Sequence, residues 1–148
     1  MKPLRMFEEY LAEGIVKKQA SDLSRAVFLI QESKDSYRFL LKVTKAVKIS
    51  DEDSNFVVKS CYDIIMELIR AKMISEGYNS SGQGAHEAEV SYLRELRFPE
   101  AEIQFLNQLR FFRNGITYYG KKFDSEYAQK VLIFLDEIYP RLEKLTEI

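Results

Sequence analysis

Apolar residues recur at spacings of three and four along most of the chain, the period of helices that bury one face. The first run covers residues 4–18, where Phe7, Leu11 and Ile15 repeat every fourth position. Gly14 weakens it by about 1 kcal/mol relative to alanine. Ser21 reads as the N-cap of a long helix reaching residue 48, with Leu23, Val27, Ile30, Tyr37, Leu40, Leu41 and Val47 in register. After a loop at 49–54, a third helix is predicted over 55–76, its stripe made by Val57, Cys61, Ile64, Leu68 and Ala71. Gly77 follows as a stop signal. Residues 77–84 are rich in Gly, Ser and Asn and predict a loop unable to support a packed element.

A shorter helix is predicted over 85–96 with Val90 and Leu93 inward, and Pro99 suits the first turn of the next one. In that helix Phe105, Leu109, Phe112, Ile116 and Tyr119 form the apolar stripe. Asn114-Gly115 is also a turn signal, and residues 116–119 have strand character. The stripe nevertheless crosses Gly115 in register, which favours a continuous helix ending at Gly120. Asp124 then caps a last helix to Leu145, with Tyr127, Val131, Phe134, Leu135, Ile138, Leu142 and Leu145 inward and Pro140 bending its end. The pattern predicts one all-α domain over residues 1–148, an up-down bundle of five to six helices.

Composition agrees, with 3 Pro and 6 Gly in 148 residues and no repeat or low-complexity tract. A formal charge of −1 excludes a broad positive field, so any RNA contact has to be local. Cys61 is the only cysteine, which rules out a disulfide framework or a cysteine-based zinc site. There is no signal-peptide run and no membrane-length apolar run, so a cytoplasmic protein is expected.

The candidate chemistry lies in residues 109–120. Arg110, Arg113, Asn114, Thr117 and Lys121 gather opposite the stripe, and no acidic residue occurs between Ile103 and Phe123. Two guanidinium groups and an amide with no carboxylate nearby in sequence suit an anion such as phosphate. The alternative is a core helix with a solvated basic face. Ile103 and Leu106 lie toward the side of the arginines, and a helix with two apolar faces suggests a second copy of the chain as partner. Tyr62, Tyr118 and Tyr119 are candidates for stacking on bases. Glu87 and Glu89 beside His86 have no metal-ligand spacing, and Gly82-Gln83-Gly84 is not a phosphate-binding fingerprint.

At Arg113-Asn114, followed by Ile116 and Tyr118, the chain resembles the HEPN family of helical-bundle proteins, closest to its small stand-alone prokaryotic and archaeal members. The resemblance takes in the two long helices, the segment Tyr62-Asp63-Ile64-Ile65-Met66-Glu67-Leu68 leading to Gly77-Tyr78, and His86 at a helix start. It implies a dimeric fold of four to five helices, often beside a small nucleotidyltransferase in toxin–antitoxin pairs. Active members are metal-independent ribonucleases, whose motif is an arginine, four to six arbitrary residues and a histidine. Arg113 matches that arginine and Asn114 the polar residue after it, but Tyr118 stands at the histidine position. Metal-free RNA cleavage needs a proton acceptor and a group that stabilises the phosphorane charge. Tyrosine, with an ordinary pKa of about 10 against about 6.5 for histidine, is a poor acceptor. His86, the only histidine, either approaches Arg113 or bonds to nearby backbone.

The resulting expectation is a HEPN-like homodimer that binds a nucleotide or RNA phosphate, or a nucleotidyltransferase partner, without efficient catalysis. Arg110, Arg113, Asn114, Thr117, Lys121 and His86 form the expected binding set, with no metal or cofactor. One alternative is a ribonuclease toxin using Arg113 with Tyr118 or His86. A second is a structural dimer whose basic face is incidental.

Overall fold

Helix α3 (Ser54–Ser75) is apolar round most of its circumference, with thirteen of its 22 residues buried, including the whole expected stripe. Such a helix has to be surrounded. Helices α2 (Leu23–Ala46), α4 (Ala85–Glu95), α5 (Glu100–Tyr119) and α6 (Ser125–Leu145) all pack against it. The computed structural model describes residues 2–120 and 122–147, apart from the side chains of residues 117–119. A short helix α1 (Phe7–Ala12) and a two-stranded sheet complete the all-α bundle.

Helix α2 runs antiparallel to α3. Ala26 packs with Ala71 and Ile74, and the Ser33 hydroxyl donates to the Ile64 carbonyl at 2.8 Å. The buried face of α2 is Ala26, Ser33 and Leu40; of the predicted stripe Leu40 is buried and Ile30, Tyr37 and Leu41 are half-buried, whereas Leu23, Val27 and Val47 are exposed. Small residues at Ala26 and Ser33 let the backbones approach, a preference that a search for large apolar side chains overlooks. The cap is likewise Asp22 rather than Ser21, its carboxylate accepting from the Arg25 amide at 3.0 Å.

The first segment is not a helix to residue 18. Gly14, at φ +76°, follows α1, and β1 (Val16–Lys18) pairs antiparallel with β2 (Tyr78–Ser80), Val16 opposite Ser80. The stretch 77–84 therefore does support a packed element, and the Tyr78 ring lies edge-on to Phe7 and Tyr92. Its extended form has a geometric cause. Contacts pair His86 with Tyr62, Glu89 with Arg70 and Tyr92 with Glu76, so α4 runs in the same sense as α3. The chain has to travel back along α3 before α4 begins, and a strand covers that distance in few residues. Gly77 makes the turn at φ +87°, where a Cβ would stand 2.8 Å from the Gln19 carbonyl oxygen.

Helix α5 continues through Gly115 and ends at Gly120 in the left-handed conformation, as predicted. Pro99 occupies the N-cap rather than the first turn. Ile103 and Leu106 are fully buried together with Leu109, so they belong to this chain's own core and are not available to a second copy. Phe105 packs on Phe134 and Phe112 on Tyr127, which places α6 antiparallel along the other flank. Asp124 caps α6 through the Tyr127 amide as expected, whereas Leu145 is exposed. Among the described residues, no helix is long and apolar enough to cross a membrane.

One polar contact ties α3, β2 and α4 together. Arg70 donates to both oxygens of Glu89, Nε at 2.6 Å and Nη2 at 3.0 Å, and the Ser80 hydroxyl adds a third bond at 3.1 Å. Glu89 is 1% exposed. Removing one partner of such a pair leaves a buried charge uncompensated, at about 3–5 kcal/mol. Arg70→Ala is expected to lower the unfolding free energy by about that amount in urea titrations, whereas exchange of an exposed arginine such as Arg38 is expected to be nearly neutral.

Candidate functional site

Beside that contact lies a cleft of about 1210 Å3, lined by the N-terminal segment, the turn at 82–84, the start of α4 and the second half of α5. Each wall has a local cause. The N-terminal segment is held by Arg94, whose Nη1 donates to the carbonyls of Leu4 and Arg5 at 3.2 and 2.8 Å. Gly82 and Gly84 both adopt positive φ, and Gly84 starts α4 with no side chain capping it. The positive end of the α4 dipole therefore opens onto the cleft at Ala85, His86 and Glu87.

The cleft brings together Arg110, Arg113, Asn114 and His86 of the predicted set. Thr117, Tyr118 and Lys121 were also predicted; their side chains lie outside the described residues. The arginines do not form a solvated face. They follow Ile103 and Leu106 along the inner side of α5, and their side chains are 12% exposed at Arg110 and 25% at Arg113. Arg110 Nε donates to Asn107 Oδ1 at 3.1 Å, and Asn107 itself is buried.

Carboxylates that sequence proximity hides stand close to both arginines. Arg110 Nη2 lies 3.4 Å from Glu87 Oε1, and the other Glu87 oxygen accepts from the buried Tyr10 hydroxyl at 3.1 Å. Arg113 Nη2 lies 3.7 Å from Asp63 Oδ1 on α3. Burial pushes the Asp63 carboxyl up, against the pull of Arg113, His86 and Lys59. Burial likewise raises the Tyr10 hydroxyl, and Glu87 adds to the shift. Arg5 lies over the Tyr10 ring at 4.6 Å and pairs with Glu13. Of the residues lining the cleft, Lys2, Arg5, Arg110 and Arg113 are cationic and Glu13 and Glu87 anionic; with Asp63 beside Arg113 only a small positive excess remains, although the chain as a whole is not positive.

His86 and Arg113 flank the same ring. Tyr62 Oη is 3.5 Å from His86 Nδ1, and the Arg113 guanidinium carbon is 6.0 Å from the Tyr62 ring centre. Tyr62 is 1% exposed, and burial raises its hydroxyl well above the ordinary value. The ring lies behind His86 and Arg113, outside the cleft lining, and has no free face for a base, contrary to the stacking role considered from sequence. No group of residues able to hold a metal ion occurs among those described.

Sequence reasoning missed Arg5, Lys2, Glu87 and Asp63. None gives a local signal: Arg5, Lys2 and Glu87 reach the cleft, and Asp63 reaches Arg113 from the neighbouring groove, through packing of segments distant in sequence. Compared with known proteins, the chain matches no family model, no curated protein and no solved structure.

One turn along α3 from Asp63, Glu67 has a buried Oε2 with no hydrogen-bond partner, and burial followed by the charges of Asp63 and Glu32 raises its carboxyl. A carboxyl raised in the folded state contributes stability that is full below its unfolded pKa and lost as pH rises through the folded one. Glu67→Gln is therefore expected to raise Tm slightly at pH 7, with the advantage shrinking as pH falls to about 4; thermal melts across that range check it.

Proposed function

We propose that this protein is a HEPN-like helical module that binds the phosphate of a nucleotide or of single-stranded RNA in the cleft and does not cleave it efficiently. The observation carrying this reading is that two half-buried arginines one helical turn apart, an amide, and an uncapped helix start line one positive cavity. Guanidinium groups match phosphate oxygens in pairs. The cavity is large enough for more than one phosphate group, and its described lining holds no Phe, Tyr or Trp, so contact falls mainly on phosphate rather than on bases. The resemblance implies pairing with a second copy of the chain, and it offers a small nucleotidyltransferase as the alternative partner, which a neighbouring reading frame would identify.

A second reading is favoured by the position of His86. Its imidazole and Arg113 flank Tyr62 on the same cleft, so His86 is available as the proton acceptor that a tyrosine at position 118 supplies poorly. In that reading the protein is a metal-independent ribonuclease in which Arg113 stabilises the charge on the phosphorane.

Two measurements separate the readings. ATP or a short RNA is expected to bind with affinity that falls with salt, and for RNA neutralising two phosphates the slope of log affinity on log salt is about −1.4. Binding is expected to be lost in Arg110→Ala/Arg113→Ala; unchanged binding would end the phosphate reading. Purified protein incubated with RNA and EDTA is expected to give no cleavage above buffer. Cleavage abolished by His86→Ala and by Arg113→Ala would establish the ribonuclease instead.

A further inference from the structure

The arginine pairs of this protein are of two kinds. Arg70 and Glu89 meet through two short bonds, with a serine hydroxyl as third partner, and the carboxylate is sealed from water. Arg110 meets Glu87 through one long contact at 3.4 Å, and 29% of the Glu87 side chain remains exposed. Arg113 and Asp63 are 3.7 Å apart, with 51% of the Asp63 side chain exposed. The first geometry is a lock. The second keeps a half-buried cation compensated while leaving its partner free to move into water.

We propose that Glu87, on the cleft wall, and Asp63, which lines the neighbouring groove and meets Arg113 from there, are resident counter-anions of the two cleft arginines, which a ligand phosphate displaces on binding. The inference rests on the phosphate-binding reading and adds to it what the site excludes and what sets its affinity. Glu87 is placed for such a role by its second bond. Tyr10 holds one oxygen at 3.1 Å, so the carboxylate stays beside Arg110 without gripping it. A tethered group of this kind acts as a competitor at an effective concentration on the order of millimolar or higher. A ligand carboxylate would exchange like for like with it and gain nothing. A phosphate brings more charge and three acceptor oxygens, and so shifts the exchange in its favour. The cleft therefore selects phosphate-bearing ligands over carboxylates, and both resident acids lower the affinity for them.

Isothermal titration with ADP and with succinate tests this on the wild-type chain, Glu87→Gln and Asp63→Asn, with thermal melts confirming the fold of each. The wild type is expected to bind ADP and not succinate. Glu87→Gln keeps an acceptor for Tyr10 but removes the charge beside Arg110, and is expected to tighten ADP binding roughly three- to tenfold. Asp63→Asn is expected to tighten it less, because water screens that half-exposed pair more strongly. Should Glu87→Gln fail to fold, Asp63→Asn decides alone. Equal or weaker ADP binding by the folded variants, or succinate binding the wild type as tightly as ADP, overturns this inference and leaves the phosphate reading standing. Absence of ADP binding from all three proteins removes both.

Discussion

The position of the whole site follows from one buried ion pair. Glu89 can be sealed inside the bundle only because Arg70 and Ser80 satisfy it from two other elements. Shifting α4 by a single turn along α3 would separate the partners and strand a charge. Such a pair acts less through its net energy than through the penalty on every arrangement that breaks it. His86 and Glu87 lie three and two residues before Glu89, so the same constraint fixes where they face the arginines of α5. It also explains the small sheet: with α4 set parallel to α3, the chain must return in an extended form, and β1 supplies the partner for its backbone groups.

The long helices were legible because each carries its own periodicity and its own ends. Asp124, Gly77 and Gly120 act where the sequence places them, and the stripe of α3 is buried as predicted. What escaped is what depends on a remote partner. Strands of three residues are too short to show a period of two, and β1 exists only because residues 78–80 arrive beside it. The face of α2 is only partly legible for a related reason. Periodicity weighs apolar size, whereas Ala26 and Ser33 were placed inward because they are small.

At the cleft, the motif in α5 and the lone histidine pointed to residues that do share one cavity. The charge environment was the illegible part. The absence of acids between Ile103 and Phe123 holds along the chain, but α3 and α4 bring Asp63 and Glu87 to the arginines. Local composition describes the surroundings of a side chain only where that side chain projects into solvent. On the inner side of α5 the neighbours come from other helices.

That inner placement decides how the arginines are to be understood. A guanidinium cannot lose its charge, so one that is 12% exposed needs either water or an anion at all times. A carboxylate beside Arg110 is therefore what the proposed phosphate site would require between ligands, and does not by itself make the arginine purely structural. The distinction lies in how tightly the pair is closed. Arg70 and Glu89, with two short bonds and the carboxylate sealed from water, gain nothing from an incoming anion. Arg110 and Glu87, with one long bond on the wall of a cavity, have room and reason to separate. The same chemistry thus makes a closed pair on one side of α4 and a loose one, open to the proposed exchange, on the other, and only the fold tells them apart.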